Sequence, residues 1–269
     1  MRVAILGAGS LGSALARHLV MSQIVEPEEL YLSVRSDVRI KALKFDFPRA
    51  RVVIGVDPGF IPDILVISVK PQDFQKAAQD ALPWLTYNPL IISMMSGIMH
   101  AELEKNLSPC ARIIRTMPNL PCIVGEGTVG YFAPKNLAEE DIGLFKLLFE
   151  STGLLVPVEK EELLDNITAL SGSGPGYLAF LYQKLLSSAK EMGFDDQTAD
   201  LVLRHTLQGF LALLNHGLSA KEIEQLVTSK GGTTHAAIEV LKAKKVPKSL
   251  SEAITAAALR AKELGQTEQ

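Results

Sequence analysis

Short runs of Val, Ile and Leu alternate with helix-like stretches over the first part of the chain. Val3-Ala4-Ile5-Leu6 is followed by Leu30-Tyr31-Leu32-Ser33-Val34 and Arg51-Val52-Val53-Ile54. The runs Asp63 to Val69, Leu90 to Met95 and Arg112-Ile113-Ile114-Arg115 come next. Runs this short and this continuously apolar suit strands covered on both faces, so the pattern predicts a parallel sheet wound with helices. Two more runs, Thr128 to Phe132 and Leu154 to Val158, complete the sheet edge, with a helix from Ala138 to Glu150 between them.

The texture changes near Glu159. From Glu161 to Leu264 nothing reads as strand. Leu178, Leu181, Leu185, Ala189 and Met192 recur at helical spacing, as do Val202, Thr206, Phe210, Leu213 and Leu214. Gly193 and Gly217 are placed to end these helices, and Ser219 with Glu222 has capping-box spacing. Pro247 is expected to break the last two helices apart. The alanine-rich faces suit either a twin subunit or an internal bundle core. The expected fold class is α/β: an N-terminal Rossmann-type doubly wound sheet over 1–160, then an all-α C-terminal domain over 161–269.

Charge and composition remove several function classes. Lys plus Arg number 27 against 30 Asp plus Glu, a net charge of −3, so no basic excess exists to hold nucleic acid. No apolar run approaches the ~20 residues of a membrane span. Met1 leads straight into the first strand without a signal-like region, and the expected location is cytoplasmic. Cys110 and Cys122 are expected as free thiols. The five histidines show no metal spacing, so no metal is expected.

Candidate chemistry begins at Gly7-Ala8-Gly9-Ser10-Leu11-Gly12, between the first strand and the first helix. That context reads as a dinucleotide turn, with backbone close to the pyrophosphate and helical N–H groups aimed at it. At the end of the second strand, where a carboxylate would hold the ribose hydroxyls of NAD, the chain has Arg35 and Ser36, with Arg39 nearby. An arginine beside a hydroxyl suits a 2′-phosphate, so NADPH is favoured, with NADH as the alternative.

Three more loops leave the same sheet edge. Val69-Lys70-Pro71 follows the fourth strand, and Lys70 reads either as a pyrophosphate or carboxylate ligand or as a surface lysine. Ser96-Gly97 follows the fifth and allows close approach to a nicotinamide ring. Asn119, in the rigid Arg115-to-Pro121 loop, offers its amide to a ligand or to its own backbone. Further on, Ser171-Gly172-Ser173-Gly174-Pro175-Gly176 opens a helix, clearing room for a ring or serving only as a cap. Thr228-Ser229-Lys230-Gly231-Gly232-Thr233-Thr234-His235 is a second glycine loop entering a helix. It reads as a carboxylate receptor or as an ordinary capped turn.

Taken together these stretches resemble the pyrroline-5-carboxylate reductase family nearly end to end. The run Ala169 through Pro175 and the run Ser229 through Thr234 carry most of the specificity; Leu163-Leu164-Asp165 adds to it. The resemblance implies hydride transfer from NADPH to the imine carbon of 1-pyrroline-5-carboxylate, giving L-proline in the last step of proline biosynthesis. It implies a small-molecule substrate, and a homodimer in which two chains build each active site, with rings of dimers as a further level. Carried over, Ser229, Gly232 and the amides of Thr233 and Thr234 bind the substrate carboxylate, and the Thr234 hydroxyl meets the ring nitrogen as the catalytic contact.

Five positions depart from the family pattern: Lys230 stands for Pro, Met94 and Met95 for small residues, Gly176 for Ala, and His205 for Gln. The alternatives are a reductase of another cyclic imine or a β-hydroxyacid, or a non-catalytic paralogue that binds NADPH or proline.

Overall fold

A computed structural model describes residues 1–108 and 111–266. Cys110 lies outside these residues, and Cys122 is a buried free thiol. Eight strands form one sheet: β1 (Val3–Leu6), β2 (Leu30–Val34), β3 (Arg51–Ile54), β4 (Ile64–Ile67), β5 (Leu90–Ser93), β6 (Arg112–Pro118), β7 (Gly127–Phe132) and β8 (Gly153–Pro157). Between them run α1 (Ser10–Met21), α2 (Asp37–Asp46), α3 (Phe74–Leu85), α4 (His100–Leu107) and α5 (Glu139–Phe149). The chain divides into two compact units, one of Met1–Ser173 with the stretch from Ala257 on, the other Gly174–Ala256.

The strand order is β3-β2-β1-β4-β5-β6-β7-β8. β1 to β6 are parallel, and the order reverses at β1, which pairs with both β2 and β4. A crevice therefore opens at the carboxyl ends of β1 and β4, where open α/β sheets take ligands. Strand side chains alternate between the two faces. Val3, Ile5, Leu30 and Leu32 bury against α1 and α5, and Ala4, Leu6, Tyr31 and Leu65 against α3 and α4. Full burial of each such Leu or Ile contributes about 1.5–3 kcal/mol. Trp84, fully buried on α3, donates to the Asp57 carbonyl at 3.0 Å and meets Tyr31 edge-on.

The sheet differs from the sequence expectation at its far edge. β6 continues through Thr116-Met117-Pro118, read above as loop, because β7 folds back antiparallel along it and pairs Pro118 with Val129. Pro118 needs no N–H at its position, so the strand tolerates it there. β8 then pairs parallel with β7.

Beyond β8 every described element is helical: α6 (Leu163–Ile167), α7 (Gly174–Glu191), α8 (Asp196–Asn215), α9 (Ala220–Val227), α10 (Thr233–Ala243) and α11 (Val246–Gln266). A single π-helical turn, Thr168–Gly172, joins α6 toward α7. Gly193 and Gly217 end their helices with positive φ, and Ser219 makes the full capping box with Glu222. Pro247 does not itself break α10 from α11. The break falls at Lys245, which has positive φ, and Pro247 sits in the first turn of α11, where its missing N–H costs nothing.

The Gly174–Ala256 unit buries little within itself. α7 has no buried residue, Leu178 is 65% exposed and Met192 77%. Val202 and Phe210 on α8 are exposed as well. An internal bundle core is therefore not what these stripes form in the single chain.

Gly153 lies at φ 138° with its α-hydrogen against the Gly127 backbone, where a Cβ would overlap the carbonyl oxygen. Gly153→Ala is expected to cost more than about 3 kcal/mol and to lower the thermal midpoint by about 5 °C or more in calorimetry. An unchanged midpoint would show that β7 and β8 do not approach so closely.

Candidate functional site

The three glycines of the first turn serve three different ends. Gly7 has φ 89°, and a Cβ there would come within 2.7 Å of the Ser68 carbonyl group. The Ser33 carbonyl at the end of β2 accepts from both the Gly7 and Ala8 N–H groups at 3.0 Å. Gly12 packs on the Gly7 carbonyl oxygen, with 2.8 Å to an added Cβ, which sets α1 close to β1. Gly9 has only that same oxygen near its missing Cβ, at 3.9 Å, so its face is open. Gly9 caps α1 without a side chain, and no acidic residue occupies the first turn. The first N–H groups of α1, from Ser10 and Leu11, are left to meet an anion.

A cleft of about 620 Å³ lies over this turn, lined by Gly7, Ala8, Gly9, Arg35, Ser36, Arg39, Val69 and Lys70 among others. The structure thus brings seven of the fourteen expected cofactor residues into the lining of one cleft. Its basic side chains differ in their engagement. Arg39 donates from Nε to the Ala8 carbonyl at 3.2 Å and from Nη2 to Ser13 Oγ at 3.1 Å, bracing the glycine turn. Sequence alone treats Arg39 as a bystander. Arg35 is 63% exposed and ion-paired with Asp73, and Ser36 caps α2 by accepting from the Arg39 N–H at 3.4 Å. Lys70 is exposed just before Pro71, which starts a short 3-10 turn through Asp73.

On the other side of the sheet edge, Gly97 has positive φ and follows Ser96. Met94 and Met95 are buried on opposite sheet faces, so their difference from the family pattern is a matter of core packing. Asn119 is 8% exposed and its amide is taken within the fold. It donates to the Ser171 carbonyl at 3.1 Å and hydroxyl at 2.9 Å, and accepts from the Thr128 N–H at 2.9 Å. Asn119 therefore ties the end of β6 to Ser171 within the π-turn, and of the two roles open in the sequence its amide is engaged inside the fold.

The second glycine loop belongs to the other unit. Thr228 closes α9, and Gly232 is the N-cap of α10 without a side-chain bond. Gly232 packs on Ser229, with 2.5 Å from an added Cβ to the Ser229 hydroxyl. Its N–H donates to the Ser229 carbonyl at 2.9 Å, so Gly232 supplies room and turn geometry while its own N–H is used internally. The Thr233 and Thr234 N–H groups lie in the first turn of α10, where no intrahelical partner exists. Thr234 is half-buried; Ser229, Lys230 and His235 are exposed. Lys230 forms no ion pair among the described residues. Lys184 on α7 lies over the Phe180 ring at 5.7 Å and Lys190 pairs with Asp196 at 2.7 Å, so neither lysine is set aside as a proton donor.

Comparison with known proteins matches these two halves to two family models. Residues 161–264 match pyrroline-5-carboxylate reductase dimerisation, and residues 2–97 match NADP oxidoreductase coenzyme F420-dependent. The chain is 31% identical to the pyrroline-5-carboxylate reductase of Thermus thermophilus, with 100% of each chain covered. It is 30% identical to that of Methanosarcina acetivorans, over 98% of each. Among solved structures it is similar to Plasmodium falciparum pyrroline carboxylate reductase with NADP bound, at TM-score 0.88 and 25% identity over 98% of each chain.

A charged cluster secures the segment that follows β8. Arg115 on β6, 2% exposed, pairs with Glu161 and also donates to Met99 Sδ at 3.4 Å. Glu161 in turn accepts the His100 N–H at 2.5 Å. Asp165 lies in this same field. Burial lifts its carboxyl above the ordinary 3.8, with Glu161 adding to the rise and Arg115 and Lys262 opposing it.

The native state therefore holds the Asp165 proton more tightly than the unfolded chain does. This group is neutral to stability below its unfolded value and costs stability as pH rises through and above it. Asp165→Asn is expected to raise the thermal midpoint at neutral pH, with the gain shrinking toward pH values below 3.8. A lower midpoint at neutral pH would overturn this.

Proposed function

The chain belongs to the pyrroline-5-carboxylate reductase family, and we propose that its two glycine loops divide that family's reaction between them. The enzyme reduces 1-pyrroline-5-carboxylate to L-proline, with hydride added to the imine carbon. The observation that carries this reading is that one chain has both an anion-ready α1 N-terminus at a Cβ-excluding Gly7 turn and a second open helix N-terminus at α10.

When bound, NADPH supplies the hydride. The residues of the first cleft fit it: the α1 amides and Gly7 through Gly12 take the pyrophosphate. Arg35 and Ser36 would hold the 2′-phosphate, with Arg39 bracing the turn beside them. Val69, Lys70 and Pro71 would flank the diphosphate. Ser96 and Gly97 would face the nicotinamide end, and Asn119 would serve it by fixing Ser171.

At the second loop, Ser229 and the Thr233 and Thr234 N–H groups receive the substrate carboxylate, with Gly232 giving it room. The Thr234 hydroxyl accepts the N–H of the protonated imine. As hydride bonds to carbon, the C=N electron pair withdraws onto that nitrogen, which keeps its proton and becomes the neutral amine of proline. No strong general acid is required, and rate enhancement rests on holding donor and acceptor in reacting geometry.

The exposed apolar faces of α7 and α8 support a homodimer through the helical unit, with each active site built by two chains and rings of dimers as a higher assembly. No described helix is long and apolar enough to cross a membrane. A cytoplasmic location fits that and the reaction.

Purified protein is expected to consume NADPH with 1-pyrroline-5-carboxylate and to form proline, with a higher kcat/KM than with NADH. No turnover at saturating substrate would overturn the assignment. Thr234→Ala is expected to lower kcat by about 10²-fold or more, since it removes a contact at the reacting nitrogen, while NADPH affinity changes little. Equal losses in both would remove Thr234 from its role.

A further inference from the structure

Beside the cofactor cleft lies a second, smaller cavity of about 100 Å³. Leu6, Val34, Ile54, Val69 and Ala77 give it apolar walls, and Gly55 adds backbone. Arg35 lines both this slot and the larger cleft. An apolar slot that continues from a phosphate-binding cleft suits a flat base, and polar groups on its rim decide which base.

Asp73 is such a group. One carboxylate oxygen pairs with Arg35, and the other is buried without a hydrogen-bond partner. A buried carboxylate oxygen left unmet costs free energy, so the site favours any ligand that brings a donor to it. Asp80 also lines the slot but is exposed, where water satisfies it. Lys76, the remaining charged lining residue, is exposed too.

We propose that Asp73 is a base-specificity residue, accepting the exocyclic amino group of adenine and so selecting a 6-aminopurine over a 6-oxopurine dinucleotide. The assignment rests on the reading of the cleft as an NADPH site. Its chemistry is directional. An amino group donates to the carboxylate, whereas a 6-oxo group sets one acceptor against another and leaves the buried oxygen unmet. The pairing with Arg35 holds the carboxylate in place for this contact.

The test is calorimetric titration of the full-length protein, without substrate, with NADPH and with its hypoxanthine analogue. Unmodified protein is expected to bind NADPH about tenfold or more tightly than the analogue, the effect of one hydrogen bond to a charged group. Asp73→Asn, which can donate its amide to a 6-oxo group, is expected to bring that ratio close to one or reverse it. Equal binding of the two nucleotides by unmodified protein overturns this inference and leaves the reductase assignment standing. A ratio kept in Asp73→Asn, or lost in Asp80→Asn instead, overturns it as well. If neither nucleotide binds, the NADPH reading falls with it. Thermal midpoints of the variants establish that they are folded.

Discussion

Three backbones converge at Gly7. Its N–H is drawn to the Ser33 carbonyl at the end of β2, and its Cα lies against Ser68 and Val69 beyond β4. Only a residue without a Cβ can close that junction, and only a positive φ turns the chain from β1 into α1 there. Because β1 is the strand at which the sheet order reverses, this one contact fixes where the crevice opens and where the α1 amides point. Arg39 then holds the same turn from α2 by gripping the Ala8 carbonyl and the Ser13 hydroxyl. The cleft is thus a consequence of backbone packing first and of side-chain chemistry second.

The parts of the fold legible in the sequence are those set by local rules. Strands covered on both faces announce themselves as unbroken Val, Ile and Leu, and the glycines that end α7 and α8 and the Ser-x-x-Glu start of α9 need no tertiary information. Of the two misread parts, one depends on a partner distant in sequence and the other on where a proline falls in its helix. Thr116-Met117-Pro118 is strand because β7 returns along it, which composition cannot reveal. Lys245 breaks the last helices although Pro247 looks the stronger breaker, since proline is at ease in a first helical turn.

The candidate site divides along the same line. The two glycine loops and Arg35 are visible as motifs, because their spacing is the chemistry. Asn119 is visible as a polar residue in a rigid loop, but which of its two offered roles it fills depends on Ser171 and Thr128 arriving beside it. Asp73 gives no signal at all in sequence, an acidic residue after Lys-Pro-Gln. It matters only through the Arg35 pair and the buried oxygen that pair leaves over.

Trp84 is the chain's sole tryptophan, and it sits buried in the nucleotide-binding unit, held to the Asp57 carbonyl. The helical unit has no indole of its own. Tryptophan fluorescence therefore reports the opening of the nucleotide-binding unit and is blind to the helical one.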